Sequence, residues 1–206
     1  MRAQTLGGFL DDLASDAPAP GGGAAVGVSV ALAAALVAMV CRLTLGRKGF
    51  DAATIEAALA QADALRHRGL VLAEQDALAF AEVSAAYKFP RATDSEAAAR
   101  REAIQSRLLG AATVPLDAAG AARDVAALAG SLVGRSNPRV VSDLGVAAAS
   151  ARAAVAGASL NVHVNTGLLD DREVAADLDR RIDALVAETV AVADRVMAQV
   201  EAMVAS

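Results

Sequence analysis

An 18-residue run at positions 24–41, AAVGVSVALAAALVAMVC, carries no charge and follows directly on two prolines and three glycines, APAPGGG. A stretch this long and this apolar has two physical homes, a bilayer or the centre of a protein core, because one face of an ordinary surface helix must meet water. The run is largely alanine, interrupted by Gly27 and Ser29, and Asp11, Asp12 and Asp16 precede it where a secretory signal needs basic residues. It is therefore read as a core helix, and no membrane span is expected.

What packs around that helix follows from composition. Hydrophobic residues make up 55% of the chain but aromatics only 2%, with no Trp. Such a core is built from Ala, Val and Leu, whose small side chains let helix backbones approach closely. Alanine has the highest helix propensity, and no segment alternates with the period of two that a strand requires. The fold class expected is all-α. Proline, glycine and capping residues divide the chain into seven helices: residues 5–13, the glycines to Gly46, 51–89, 94–113, 115–133, a sixth with Asn137 as N-cap and Pro138 at its first position, and a seventh from Asp170 or Asp171 to the end. The last has apolar residues at spacings of three or four through Leu178, Ile182, Leu185, Thr189, Val192, Val196, Val200 and Met203. Short connections favour antiparallel neighbours, hence an up-and-down bundle of about six or seven helices in a single domain, residues 1–206. So large an apolar surface also predicts a homodimer formed through helices.

Charge and cysteine content exclude several functions. The net charge is -5, with 19 Lys and Arg interspersed among 24 Asp and Glu, so no basic face exists to neutralise a nucleic-acid backbone. Cys41 is the single cysteine, which rules out an intrachain disulfide and a cysteine-cluster metal site and points to a cytoplasmic protein. His67 and His163 lie far apart and outside any H-E-x-x-H context, so no metal is expected; no G-x-S-x-G nucleophile signature occurs.

Four features remain as candidates for chemistry. Gly21, Gly22 and Gly23 do not form a dinucleotide fingerprint, because no strand flanks them. They do admit a ligand or another backbone at contact distance, and a helix start offers free N–H groups. Stepping by helical turns from Asp143 leads through Ala147, Ser150, Ala154 and Gly157 to Asn161 and Asn165, a polar and small-residue face. On one straight helix Asp143 and Asn161 stand roughly 27 Å apart, so they share a pocket only if the helix breaks or a two-fold mate supplies one of them. Asp76, one turn before Phe80, is a carboxylate on a partly apolar face, which must be paired or functional if buried. Lys48, just past the second helix, can meet an anion.

The motifs PAPGGGAA, ALVAMVCRLTLGRK, DALAF and NPRVVSDLGVA, with LNVHVN and LDD, occur in the order and spacing of the cyclodeaminase and cyclohydrolase proteins of one-carbon folate metabolism, and the chain resembles that family over residues 9–171. It is most similar to the free-standing cyclohydrolases, partly through MVC.LT.G.K and LNV.VN. Many members have Ser after the three glycines; here Ala24 stands instead. The resemblance implies an all-helical dimer that binds a tetrahydrofolate derivative as substrate, with no metal and no further cofactor. The activity implied is hydrolysis of 5,10-methenyltetrahydrofolate to 10-formyltetrahydrofolate. The alternatives are ammonia-releasing ring closure of formiminotetrahydrofolate and, in another class, a helical scaffold without catalysis. In the hydrolytic reading Asp143 is the base and Asp76 the alternative acid or base. Gly21, Gly22, Gly23, Asn137, Ser142, Asn161 and Asn165 hold the heterocycle or water, and Lys48 meets the glutamate tail.

Overall fold

Six α-helices and one 3-10 turn account for nearly all of residues 4–205, the part of the chain that the computed structural model describes. They are α1 (Leu6–Leu13), α2 (Gly22–Thr44), α3 (Ala52–Ala86), α4 (Asp94–Leu132), the turn Pro138–Val140, α5 (Val141–Thr166) and α6 (Arg172–Val204), with no strand among the described residues. Local chemistry marks most ends. The Thr5 hydroxyl accepts from Gly8 N at 3.1 Å, Thr93 and Glu96 form a reciprocal capping box, and the Asp171 carboxylate accepts from Glu173 N and Val174 N. Gly46 turns the chain out of α2 with a φ of 77°, a conformation that favours glycine.

One expected break is absent. Residues 94–113 and 115–133 are not two helices but the single 39-residue α4, with Pro115 inside it. A proline in a helix interior has no N–H for the carbonyl four residues earlier, here that of Ala111. Asn165 on α5 supplies the missing donor: its Nδ2 reaches Ala111 O at 3.1 Å. The sixth expected helix also begins differently. Asn137 caps the 3-10 turn, accepting from Arg139 N at 3.1 Å, and the α-helix proper starts at Val141.

The apolar run lies in α2 at the centre of the bundle, packed against α3, α4 and α5. Most of its side chains from Val26 to Cys41 are buried, while Leu32 and Met39 form an exposed apolar edge, so the sequence shows no polar stripe there. Burial pushes the Cys41 thiol up to about 11. By length and composition both Gly22–Thr44 and Pro138–Thr166 would suffice to cross a membrane, but 61% of the first stretch is already buried by protein. Only 39% of the second is, so α5 keeps an exposed apolar side that includes Val146 and Leu160.

Where α2 crosses α3 the two backbones touch. A Cβ on Gly27 would lie 2.6 Å from Ala73 N and 2.7 Å from Gly69 O; one on Gly69 would lie 2.7 Å from both Ala31 N and Gly27 O. Neither neighbour can rotate away, since each is main chain. Gly27→Ala or Gly69→Ala is therefore expected to cost about 1–3 kcal/mol or more by forcing the helices apart. Gly110→Ala, in α4 with nothing within 4 Å of the added carbon, is expected to gain roughly 0.5–1 kcal/mol from helix propensity. Urea denaturation of the three variants checks both signs.

Candidate functional site

The start of α2, the second half of α3, the middle of α4 and the end of α5 enclose a cavity of about 500 Å³. Its polar lining consists of Asp76, Ser84, Tyr87, Asn161 and Asn165, and its floor is the backbone of Gly21, Gly22 and Gly23. Phe80, Val83, Leu108, Val164 and Leu168 supply apolar walls. A depression of about 560 Å³ between α3, α4 and α6 is slightly larger. It is an open surface cleft whose charges answer one another, Arg68 with Asp117 at 2.7 Å and Arg123 with Asp124 at 2.7 Å, and it offers no uncompensated group.

The α2–α3 crossing sets the geometry of the inner end. Four residues before Gly27, one turn along α2, Gly23 comes against Asp76 so closely that a Cβ there would sit 2.0 Å from Asp76 Oδ1. The carboxylate thus rests on bare backbone and accepts the N–H of Ala24. Asp76 is the one carboxylate of the cavity, and burial holds its carboxyl above the ordinary value of 3.8, with the Ala24 N–H opposing the shift. Ala24 contributes through its main chain. Ahead of it, the N–H groups of Gly22 and Gly23 open α2 with no protein acceptor among the described residues, since the first intrahelical bond runs from Ala25 N to Gly21 O.

Opposite stand the two asparagines. Asn161 Nδ2 donates to Gly157 O at 2.9 Å, and Asn165 Nδ2 donates to both Asn161 O at 2.8 Å and Ala111 O at 3.1 Å. Asn165 has thereby spent both of its N–H groups and Asn161 one of two, so both amide oxygens are left to accept hydrogen bonds in the cavity and Asn161 keeps one N–H to donate. The carbonyl orphaned by Pro115 therefore fixes which way Asn165 is turned.

Of the residues singled out in the sequence, Gly21, Gly22, Gly23, Asp76, Asn161 and Asn165 meet in this cavity. The others lie elsewhere in the chain. α5 runs unbroken, so Asp143 and the exposed Ser142 sit near its start, about 27 Å from Asn161. Asn137 is buried, its Nδ2 on Leu43 O at 3.1 Å and its own N–H on Thr44 Oγ1 at 3.0 Å, tying the 3-10 turn to the end of α2. Lys48 borders a separate depression of about 190 Å³ beyond that same end. Ser84 and Tyr87 escape the sequence reading, although steps of three and four from Asp76 through Phe80 reach both.

Comparison with known proteins follows the same outline. A family model described as formiminotransferase-cyclodeaminase matches residues 5–184. A methenyltetrahydrofolate cyclohydrolase of Methylorubrum extorquens is 41% identical over 203 residues, 98% of both chains. The formimidoyltransferase-cyclodeaminase of Mus musculus is 32% identical over 200 residues, which are 96% of this chain and 37% of that longer protein. The crystal structure of a formiminotetrahydrofolate cyclodeaminase from Thermotoga maritima superposes with a TM-score of 0.88 at 28% identity, over 98% of both chains.

A carboxyl whose folded value is raised binds its proton more tightly when folded, so the stability present below the unfolded value is lost as pH rises through the folded one. At neutral pH ionised Asp76 is a burden on the fold. Asp76→Asn, which keeps an acceptor for the Ala24 N–H, is expected to raise the thermal midpoint at pH 7 and to leave it unchanged or lowered below pH 3.8. Melting curves across that range test the sign.

Proposed function

The chain belongs to the formiminotransferase-cyclodeaminase family, and on that premise we propose that it is a methenyltetrahydrofolate cyclohydrolase working in the cavity between Gly21–Gly23 and Asn161. The observation that carries this reading is a lone, half-buried carboxylate, Asp76, facing a side-chain-free floor in a largely apolar slot. The methenyl carbon is an amidinium, flat and cationic. It needs no further electrophilic activation. It needs an anion beside it, a base for water, and a proton for the departing nitrogen.

Asp76 meets all three requirements in turn. Bound beside the cation, it is an ion pair that relieves the cost of burying either charge alone. Water adds to the methenyl carbon as its proton passes to the Asp76 carboxylate, giving a neutral tetrahedral adduct. The carboxyl then returns a proton to the ring nitrogen as the carbon–nitrogen bond breaks. The hydroxyl oxygen becomes the formyl carbonyl and its proton leaves to solvent, so one proton is released per turnover. A carboxyl held above its usual range serves both directions better than an exposed one. In this reading the N–H groups of Gly22 and Gly23 stabilise charge developing on the oxygen of the adduct, and the amide oxygens of Asn161 and Asn165 accept from the N–H edge of the pterin.

A second reading is ring closure of formiminotetrahydrofolate with loss of ammonia, favoured by the likeness to the Thermotoga cyclodeaminase over nearly the whole chain. It uses the same carboxyl to protonate a departing amine. We further propose that two chains pair in the cytoplasm through the exposed apolar sides of α2 and α5, which carry Leu32, Leu43, Val146 and Leu160. A single-chain mass by sedimentation would reject the pairing.

Loss of methenyl absorbance, measured beside ammonia release from the formimino compound, separates the two reactions. Asp76→Asn is expected to lower turnover by about 100-fold or more, the usual contribution of a general acid or base. Gly23→Ala should fold normally, since only the tip of Asp76 must yield, yet lose turnover comparably because that tip is displaced. Asp143→Asn should retain near-normal turnover. The reverse ranking of the two aspartates would transfer the base role to Asp143 of a partner subunit.

A further inference from the structure

The cavity has a second end, about 16 Å from Asp76 along α3, given 11 residues at 1.5 Å each. α3 turns Asp76, Phe80, Ser84 and Tyr87 toward the same space. On the antiparallel α4, Ala111 lies at the inner level beside Asn165, while Arg100, 11 residues nearer its start, lies at the level of Tyr87. Arg100 is not itself a lining residue; it borders the outer end of the cavity through Tyr87. Its guanidinium is held there in advance. Nε and Nη2 both donate to Tyr87 O, at 3.2 and 3.0 Å, and the guanidinium carbon lies 5.6 Å from the centroid of the Tyr87 ring that lines the cavity.

These bonds leave the Nη1–Nη2 edge unspent, the fork that matches a carboxylate. Arg100 forms no ion pair among the described residues, and neither do Lys88, Arg91 and Arg101 around it. Glu96, one helical turn before Arg100, spends its carboxylate on the N–H groups of Ala92 and Thr93, at 2.8 and 3.0 Å, and Glu102, two residues after Arg100, forms no ion pair with it among the described residues. Asp94, Glu102 and Asp170 stand on the far side, around Arg101. In a chain of net charge -5, an uncompensated basic margin at one end of a slot whose other end is acidic calls for a ligand of opposite polarity, cationic within and anionic without.

We infer that Arg100 receives a carboxylate of the glutamate that the folate carries at the opposite end from its reacting ring, with Lys88 and Arg91 extending the margin toward further glutamates. The inference rests on the folate reading above and adds a residue that determines substrate specificity. A prefixed guanidinium forfeits little freedom on binding, so its contribution falls on substrate capture rather than on the chemical step.

Steady-state kinetics of the unaltered chain, Arg100→Ala and Arg100→Lys test it with three substrates: methenyltetrahydrofolate with one glutamate, with three, and the same heterocycle on p-aminobenzoate without glutamate. Arg100→Ala is expected to raise KM for both glutamylated substrates by roughly 10-fold or more, the range of a charge-assisted hydrogen bond, leaving kcat within about 3-fold and KM for the tail-less compound unchanged. Arg100→Lys should recover part of the loss. An equal rise in KM for all three substrates would mean that Arg100 only props the Tyr87 wall, and no rise for any would leave it without a role; either result overturns the inference. Should Arg100→Ala fail to fold, the unaltered chain still decides, because equal KM for tail-less and glutamylated substrates overturns it too. Absence of turnover on every substrate by the unaltered chain removes the folate reading itself, and this inference with it.

Discussion

Contact between two helix backbones, at Gly27 on α2 and Gly69 on α3, governs the position of everything chemical in this molecule. Helix axes separated by ordinary side chains stand about 8–10 Å apart. Here the facing positions have no side chain, and the carbonyl oxygen of each glycine lies 2.7 Å from where the Cβ of the other would be. That closeness brings the first turn of α2 onto the Asp76 side chain one helical turn away. With larger residues at the crossing, the carboxylate would lose its backbone floor and the Ala24 N–H would lose its acceptor.

The same crossing explains the economy of the glycine tripeptide. Its members do different jobs although they are adjacent. At Gly23 an added carbon would displace the Asp76 carboxylate, whereas at Gly22 it would find only Asn161, at 3.9 Å. Flexibility is not what the site draws from them once folded; absence of volume is. The burial that results is costly for a carboxylate, and in the proposed mechanism it is that cost which suits Asp76 to exchange a proton. Stability and chemistry are therefore opposed at this residue.

A second coupling runs through α4. Pro115 removes one backbone donor from the middle of a 39-residue helix, and the orphaned Ala111 carbonyl is answered from α5 by Asn165. A residue that reads as a helix breaker becomes a device for orienting an amide. The unneutralised carbonyl demands an N–H, the N–H must come from Nδ2, and Oδ1 is left to the cavity. Neither Pro115 nor Asn165 reveals this when read alone, for they are 50 residues apart and meet only when α4 and α5 pack antiparallel.

Much of the architecture was legible before any coordinates. The uncharged run, the scarcity of aromatics and the capping signals specify an all-α bundle with α2 at its centre, because helix propensity and burial pattern are local properties. The glycine turn, Asp76, Asn161 and Asn165 were visible as candidates for the same reason: each is a polar or side-chain-free position on an apolar background. Which candidates share a site was not local information. Asp143 and Asn161 fall on one face of one helix and are held apart by its straightness, while Asp76 and Gly23, 53 residues apart in the chain, touch. Local chemistry along the chain specified the helical class, most helix ends and the inventory of groups able to do chemistry, but not the continuity of α4 through Pro115. That α2 and α3 meet without side chains between them, leaving Asp76 rather than Asp143 against bare backbone, is settled by packing, because proximity across helices does not follow from periodicity.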